Sequence, residues 1–318
     1  MKRFVICIVA ITMIFCFSYA FAQKKVRMSI ATGGTGGVYY PYGGAIASVI
    51  SKHVPGVEAT AEVTAAAVDN IKLVGAGEAD LGYAYPDLAY DAIEGKGLFK
   101  SKLPIRVVAH LYVSYFHLVT LGNSPIKSVA DLKGKRVSTG APGSGTEVVA
   151  FRVLEAFGIN PDKDIKRDRL SVVESVNALK DGKTDAFFWV GGLPTAAILD
   201  LAATPNMSMK LIPTDVALPK IFQKYGEIYV KATIPKTAYP KMTADVGVVG
   251  IPNILVCNTN ADPELTYKSL KAMFDFKNEL VAVHSEAKEL TLQNAVIKTV
   301  VPYHPGAIRF FKEKGVKM

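Results

Sequence analysis

The sequence predicts an α/β fold of two lobes, in which each lobe is a mixed sheet flanked by helices. Strand-like and helical hydrophobic spacings alternate along most of the 318 residues, which is typical of a largely parallel sheet covered on both faces. A strand, a glycine-rich loop and a helix follow one another twice, with loops at residues 33–37 and 140–146. A late apolar run, residues 246–257, could carry the chain back to the first lobe.

The chain is predicted to cross between the lobes twice, near residues 113–115 and near residues 245–249. We therefore expect lobe I to contain residues 23–113 and 249–318, and lobe II to contain residues 114–248.

The first residues have the pattern of a cleaved signal peptide. Lys2 and Arg3 precede an apolar run at residues 4–17, and residues 20–22 have the small-x-small pattern of a cleavage site. The apolar run is shorter than the roughly 20 residues that cross a bilayer, and no basic flank follows it. We therefore expect export with cleavage after Ala22 rather than a retained membrane anchor.

The composition is that of a globular chain with a modest positive charge. Of 37 lysines and arginines, removal of Lys2 and Arg3 leaves 35 against 28 acidic residues, a formal charge of +7. This charge slightly favours anionic solutes and membrane surfaces, but the basic residues form no stripe, so we expect no nucleic-acid partner. Cys257 would be the one cysteine after cleavage, so stability must come from core burial rather than a disulfide.

Lobe I begins with the first strand–loop–helix unit. Residues 26–31 alternate as in a strand, the glycines of residues 33–37 break the pattern, and Ile46, Val49 and Ile50 recur at helical spacing. The elements predicted next are a strand at residues 57–63, a helix at residues 68–74, a strand at residues 79–85 and a helix that begins at Pro86.

Lobe II repeats this unit after two apolar strand-like runs, residues 105–112 and 115–121. Residues 136–139 are the predicted strand, residues 140–146 the loop, and a helix follows as far as Phe157. The later predictions are a strand at residues 185–190, a helix after Gly192 with Pro194 in its first turn, an apolar run at residues 246–257 and a helical stretch at residues 263–283.

Both glycine loops are candidate anion sites. A loop between a strand and a helix leaves backbone N–H groups pointing outward at the positive end of the helix dipole, which suits a carboxylate or a phosphate. Either loop alone could be an ordinary tight turn. Two such loops with hydroxyls inside them, from Thr35, Ser144 and Thr146, favour binding.

Several other kinds of site are disfavoured by single residues. Thr146 stands where a phosphate-binding P-loop needs lysine, and Tyr39 stands where a dinucleotide fingerprint needs its third glycine. Ser144 is not in a G-x-S-x-G elbow, so the sequence gives no catalytic serine. No cofactor or metal is expected, since the histidines lack metal-type spacing: His53, His110, His117, His284 and His304.

The aromatic residues near the loops have two interpretations. Tyr39, Tyr40 and Tyr42 could line a cleft or pack in the core. Trp189 ends a predicted strand, and open α/β sheets bind ligands at the carboxyl ends of their strands. Trp189 could therefore line the cleft or pack in the core.

Residues 31–41, ATGGTGGVYYP, resemble the opening signature of the TAXI family, the solute receptors of tripartite ATP-independent periplasmic (TRAP) transporters. The resemblance extends over essentially the whole chain after Ala22. Further segments recur in order: residues 68–70, 77–80, 131–137, 143–146, 185–189 and 304–307.

This resemblance implies a two-lobed periplasmic-binding-protein fold of type II, with the ligand in the cleft between the lobes. It implies a periplasmic location, a TRAP-type permease driven by an ion gradient as partner, and no ATP hydrolysis. We expect no enzymatic activity. The implied solute is small and anionic: glutamate, glutamine or a related dicarboxylate such as 2-oxoglutarate. We expect a monomer.

The resemblance also assigns site residues. The first loop would hold one end of the ligand with Gly34, Thr35, Gly36, Val38 and Tyr39. The second loop would bind a carboxylate with Ser144, Gly145 and Thr146, while Tyr85 and Trp189 wall the cleft and Gly192 allows close approach.

One segment departs from the family. Residues 64–67 read Thr-Ala-Ala-Ala, where a glycine or serine is expected before Val68. A lost hydroxyl there could mean a less polar ligand end.

Three other functions stay open at this point. A sensory receptor of the same fold would hand its ligand to a signalling partner. A related binding fold could be specific for a sulfonate, an aromatic acid or a pyrimidine. An exported enzyme would use Ser144 or a histidine, although the sequence offers neither an elbow nor a paired base.

Overall fold

The structure, a computed structural model, describes residues 25–318. The predicted signal peptide and its cleavage site after Ala22 lie outside the described residues. Within residues 25–318, no helix is long and apolar enough to cross a membrane.

Strands and helices alternate along the described chain, as the hydrophobic spacing predicts. In chain order they are β1 (Val26–Ala31), α1 (Tyr39–His53), β2 (Val57–Glu62), α2 (Ala67–Ala76), β3 (Leu81–Ala84), α3 (Pro86–Glu94), β4 (Ile105–Leu121), β5 (Arg136–Ser138), α4 (Gly145–Ala156), β6 (Lys166–Asp168), α5 (Val172–Lys180), β7 (Ala186–Gly191), α6 (Ala196–Ala203), β8 (Met209–Leu211), α7 (Leu218–Tyr225), β9 (Val230–Ile234), β10 (Val246–Asn258), α8 (Pro263–Asp275), α9 (Lys277–Val283) and α10 (Pro305–Glu313).

The strands form one sheet whose two halves have the same internal order. Along the sheet the order is β2-β1-β3-β10-β4-β7-β5-β6, with β8 on β4 and β9 on β10. In the first half β1 lies between parallel β2 and β3, and β3 borders antiparallel β10. In the second half β5 lies between parallel β6 and β7, and β7 borders antiparallel β4. The two glycine loops therefore follow equivalent strands, β1 and β5.

The long strands β4 and β10 join the two halves. They pair antiparallel from Tyr115 opposite Gly250 to Ile105 opposite Asn258. The prediction of two separate runs at residues 105–112 and 115–121 is wrong, because one 17-residue strand continues through them. Ser114 in its middle is fully buried, and its Oγ accepts a hydrogen bond from Asn253 Nδ2 at 2.8 Å, so a polar residue here does not end the strand.

Part of the second half forms a buried hydrophobic cluster separate from the main core. Val119 of β4, Phe187 of β7, Ile198 of α6 and Val248 of β10 belong to one buried cluster, and each is fully buried. Burial of a side chain the size of phenylalanine contributes roughly 2 to 3 kcal/mol. Other buried residues of the second half, such as Leu154 and Phe188, belong to the main core, and the division into lobes I and II stays a prediction.

Some predicted elements differ from the observed ones. Pro194 precedes α6 rather than lying in its first turn, because the helix begins at Ala196 after Thr195. The helical stretch at residues 263–283 is two helices, which meet at Phe276. The helix α5 was not predicted, although Ser171 and Glu174 form a capping box at its start.

Candidate functional site

A cavity of about 320 Å³ lies between the two halves of the sheet, beside the loops that follow β1 and β5. The structure brings the sequence-predicted site residues together around it, apart from Gly192. Those that line it are Gly34, Thr35, Gly36, Val38, Tyr39, Tyr85, Ser144, Gly145, Thr146 and Trp189.

Gly192 has a different neighbour from the one expected. A Cβ built on Gly192 would lie 2.6 Å from Cγ of Glu286, and the adjacent Leu193 N–H donates to Oε1 of Glu286 at 2.5 Å. Burial raises the pKa of Glu286 to about 7. The close approach at Gly192 is thus to a protein carboxyl group from the other half, and the residue does not line the cavity.

The second loop presents hydrogen-bond donors at the start of α4. Ser144 is the N-cap, and its Oγ accepts from the Glu147 N–H at 3.2 Å. The N–H groups of Gly145 and Thr146 lie in the first helical turn, where no carbonyl of the helix can reach them. Thr146 Oγ1 accepts from the Val190 N–H at 3.2 Å. Because both hydroxyls accept these bonds, their own hydrogens stay free to donate.

Two arginines compensate the negative charge in this helical turn. Arg169 Nε lies 2.6 Å from Oε1 of Glu147, and Arg167 Nη1 lies 3.4 Å from the same oxygen. Without them the Glu147 carboxylate would oppose a bound anion. With them the helix terminus keeps its positive potential toward the cavity.

The first loop is used differently, for contact between the halves. Its Gly37 N–H donates to the Gly34 carbonyl at 3.0 Å, and the Gly36 carbonyl accepts from the Ala197 N–H of α6 at 3.4 Å. A Cβ on Gly36 would lie 2.4 Å from Cγ2 of Val173 at the start of α5. Glycine at position 36 thus lets α5 and α6 of the second half approach the loop.

Aromatic side chains form the remaining walls. Tyr39 stacks on Tyr83 with ring centroids 4.4 Å apart, and its hydroxyl donates to Oδ1 of Asn253. Burial raises the pKa of the Tyr39 phenol well above its ordinary value, so this hydroxyl stays protonated and able to donate. Trp189 Nε1 donates to Thr195 Oγ1 at 3.0 Å, which fixes the indole ring. Tyr39 therefore both lines the cavity and packs, whereas Tyr42 is fully buried in the core.

The sequence interpretation missed part of the lining. The start of α5 contributes residues 170–174, for which the Ser171 capping box was an available signal. Ala65 and Ala66 also line the cavity, so the departure at residues 64–67 does lie at the site. Tyr112 lines it from β4, and a position within a predicted strand gave no sign of this role.

Three solved structures align with this chain over more than four fifths of its length. A protein of Bordetella bronchiseptica RB50 aligns with a TM-score of 0.53 at 18% identity, over 91% of this chain and 89% of that one. An ancestral arginine-binding protein aligns with a TM-score of 0.52 at 16% identity, over 83% and 98%. The periplasmic aliphatic sulphonate-binding protein SsuA of Escherichia coli gives 0.48 at 16% identity, over 92% and 94%.

Identities this low show the fold alone, and the predicted two-lobed periplasmic-binding-protein fold is confirmed. A protein-family model matches residues 30–315, nearly all of the described chain. The chain belongs to the NMT1-like family.

Proposed function

We propose that this chain is a periplasmic solute-binding protein that closes two lobes around a small anionic solute. The observation that carries the proposal is the start of α4, where the Ser144 and Thr146 hydroxyls and two helical N–H groups line a cavity between the two halves of the sheet. A helix N-terminus with uncommitted donors favours an anion. No reaction is proposed, since the Ser144 hydroxyl contacts a backbone N–H and no histidine lines the described cavity.

Closure is the proposed signal to the partner. A solute shifts a protein toward its closed form only by the difference between its affinities for the closed and open forms. Contacts between the predicted lobes are available to stabilise that form. The Arg152 guanidinium of α4 pairs with Asp87 of α3, and the Tyr229 hydroxyl donates to the same carboxylate at 2.8 Å.

The proposed partner is a TRAP-type membrane permease driven by an ion gradient. The support is the set of TAXI-like segments, from residues 31–41 to residues 304–307. A sensory role would use the same closure with a signalling partner in place of the permease. Uptake of the solute by cells that carry the permease, with and without this chain, separates the two roles.

The proposed solute is an acid small enough for the cavity. Glutamate, glutamine and 2-oxoglutarate are the candidates that the resemblance supplies. A sulfonate or an aromatic acid is the second candidate, favoured by the methyl groups of Ala65 and Ala66 in the lining.

Thermal unfolding of the chain from Gln23 onward tests the proposal. The protein is first unfolded and refolded to remove bound solute, then heated with each acid in large excess. A ligand at about 100 times its dissociation constant stabilises by about 2.7 kcal/mol, which raises the midpoint by several degrees. A selective increase with one acid supports the proposal. If no acid shifts the midpoint and no small molecule co-purifies with the protein, solute binding is wrong.

A further inference from the structure

The cavity lining is mostly apolar, and its best-placed hydrogen-bond donors lie together at one end. The polar end is the start of α4, with Ser144 and Thr146. Apolar side chains in the lining are those of Val63, Ala65, Ala66 and Leu170, and the hydroxyls of Thr35, Thr64 and Ser171 line the cavity as well. A cavity with a few placed donors and mostly apolar walls fits a ligand that carries its charged group at one end.

The charged residues of the lining also favour a ligand with a single charged group. Among the described residues that line the cavity there is no lysine, arginine or histidine. Glu174 is the one carboxylate there, and it is exposed and accepts from the Ser171 N–H at 2.8 Å. A second carboxylate or an ammonium group on the ligand would lose water without gaining a charged partner, which is costly in an enclosed site.

The first loop does not replace the missing charge. Its helix α1 begins after Val38, which makes no side-chain cap, and the loop packs against α5 and α6 through Gly36. The N–H of Gly37 is already bonded to the Gly34 carbonyl. Compared with the start of α4, this loop supplies no hydroxyl that a backbone N–H holds in place.

Tyr112 adds one neutral hydrogen-bonding group away from α4. Its side chain is fully buried, it lines the cavity, and its hydroxyl has no hydrogen-bond partner among the described residues. A buried hydroxyl without a partner is unfavourable, and a polar atom of a ligand would satisfy it.

We infer that the solute is a monoanion, a carboxylate or sulfonate, with an apolar or aromatic body and one neutral polar substituent that meets Tyr112. The anionic group lies at Gly145 and Thr146, the body lies against Ala65, Ala66 and Leu170, and the substituent reaches the Tyr112 hydroxyl. This inference rests on the proposed solute-binding function and narrows its ligand class.

Calorimetric titration of the refolded chain from Gln23 onward tests the inference. The probes are 4-hydroxybenzoate, benzoate, benzenesulfonate, L-glutamate and succinate at neutral pH. We expect at least one monoanion to bind ten times or more tightly than L-glutamate and succinate. The benzoate and benzenesulfonate arms decide between a carboxylate and a sulfonate.

Two variants give the inference a second readout. Tyr112→Phe should weaken 4-hydroxybenzoate about fivefold and leave benzoate unchanged. Tyr42→Phe is the matched control, since it also removes a buried hydroxyl without a partner but does not line the cavity, and it should change neither affinity.

The titrations distinguish a wrong ligand class from a wrong proposed function. If L-glutamate or succinate binds more tightly than every monoanion, the inferred ligand class is wrong and the proposed solute-binding function stands. An equal effect of Tyr112→Phe on benzoate and 4-hydroxybenzoate would overturn the assignment of Tyr112. If no probe binds and no small molecule co-purifies, both the inference and the proposed function are wrong.

Discussion

The two glycine loops have similar sequences and equivalent places in the sheet, but they have different surroundings. The loop after β5 leads into α4 through a capping serine, and its hydroxyls face the cavity. The loop after β1 leads into α1 without a side-chain cap, and its glycines allow contact with α5, α6 and Trp189.

This difference teaches that a glycine after a strand has two uses. In the second loop the absence of a side chain exposes backbone donors to a ligand. In the first loop it lets the other half of the protein approach. Gly192 is used in the same way as the first loop, because its close neighbour is Glu286 of the other half. The neighbours of each glycine, rather than its place in the motif, decide which use applies.

The largest effect on solute affinity is expected at Gly145, which is both a proposed backbone donor to the solute and a point of close contact with the other half. A Cβ there would lie 2.1 Å from Cε2 of Tyr85, across the predicted cleft. Gly145→Ala should therefore prevent closure and weaken solute binding at least 100-fold, or about 3 kcal/mol. Titration calorimetry measures the loss.

The control is Gly44→Ala in α1, which does not line the cavity and where a Cβ would have no neighbouring atom within 4 Å. This variant should change affinity less than threefold. Near-normal binding by Gly145→Ala would contradict the tight contact at α4.

The pH dependence of the free energy of unfolding tests the contact that Glu286 makes between the two halves. Its pKa rises to about 7 in the folded protein because it is buried, against an ordinary value of 4.5. The folded state therefore binds this proton more tightly than the unfolded state. Stability from this group is complete below about pH 4.5 and is lost as pH rises through 7, by roughly 3 kcal/mol.

Glu286→Gln should remove this loss while keeping an oxygen for the Leu193 N–H. Urea unfolding at pH 5 and pH 8 is the measurement, and exposed Glu289→Gln is the control that keeps most of the dependence. An unchanged pH dependence in Glu286→Gln would show that this carboxyl group is not the source.

The hydroxyls of the second loop are tested next. Ser144→Ala combined with Thr146→Ala removes two donors to a charged group and should weaken binding about 30-fold, or about 2 kcal/mol. The fold should stay intact, with a cost of about 1 kcal/mol for the lost N-cap. Thr35→Ala in the first loop should change affinity less than twofold. Unchanged affinity in the double variant would remove the second loop from the site.

A smaller effect is expected at Gly36 of the first loop. Gly36→Ala places a methyl group against Cγ2 of Val173, a side-chain atom that can shift, so closure is hindered rather than blocked. Binding should weaken about fivefold. Addition of Val173→Ala should restore most of the affinity. No recovery in this double variant would mean that Gly36 contacts the ligand and not the other half.

The smallest effect concerns the backbone beneath the first loop. Ala66 has φ 88° and ψ −146°, a conformation that strains any residue except glycine. Ala66→Gly should therefore raise stability by about 1 kcal/mol, or about 2 °C in the unfolding midpoint. Ala65→Gly is the control and should not stabilise. A lower midpoint for Ala66→Gly would show that the methyl contact outweighs the strain.

The fold and part of the site could be predicted because they depend on local patterns. Alternation identifies β1 and β2, and glycine clusters mark both loops. The departure at residues 64–67 could also be placed at the site from the motif alone, and Ala66 indeed occupies a conformation that suits the missing glycine.

The rest depends on contacts between distant segments. Nothing near Gly192 in the sequence indicates Glu286, which is brought there by the return of the chain through β10. Tyr112 lies within a strand of otherwise ordinary pattern, and only the pairing of β4 with β10 places it at the cavity. The sequence does not indicate that β4 continues through Ser114, because the hydrogen bond that this buried hydroxyl needs comes from Asn253 of the neighbouring strand β10.

The most direct test of the account observes the backbone amides of both loops. In ¹⁵N-labelled protein titrated with the acid that gives the largest thermal shift, the amide protons of Gly145 and Thr146 should show the largest downfield changes, because they donate to the anion. The Gly37 amide, already bonded within its loop, should change less. Large changes confined to the first loop, with Gly145 and Thr146 unaffected, would contradict the proposal that α4 holds the solute.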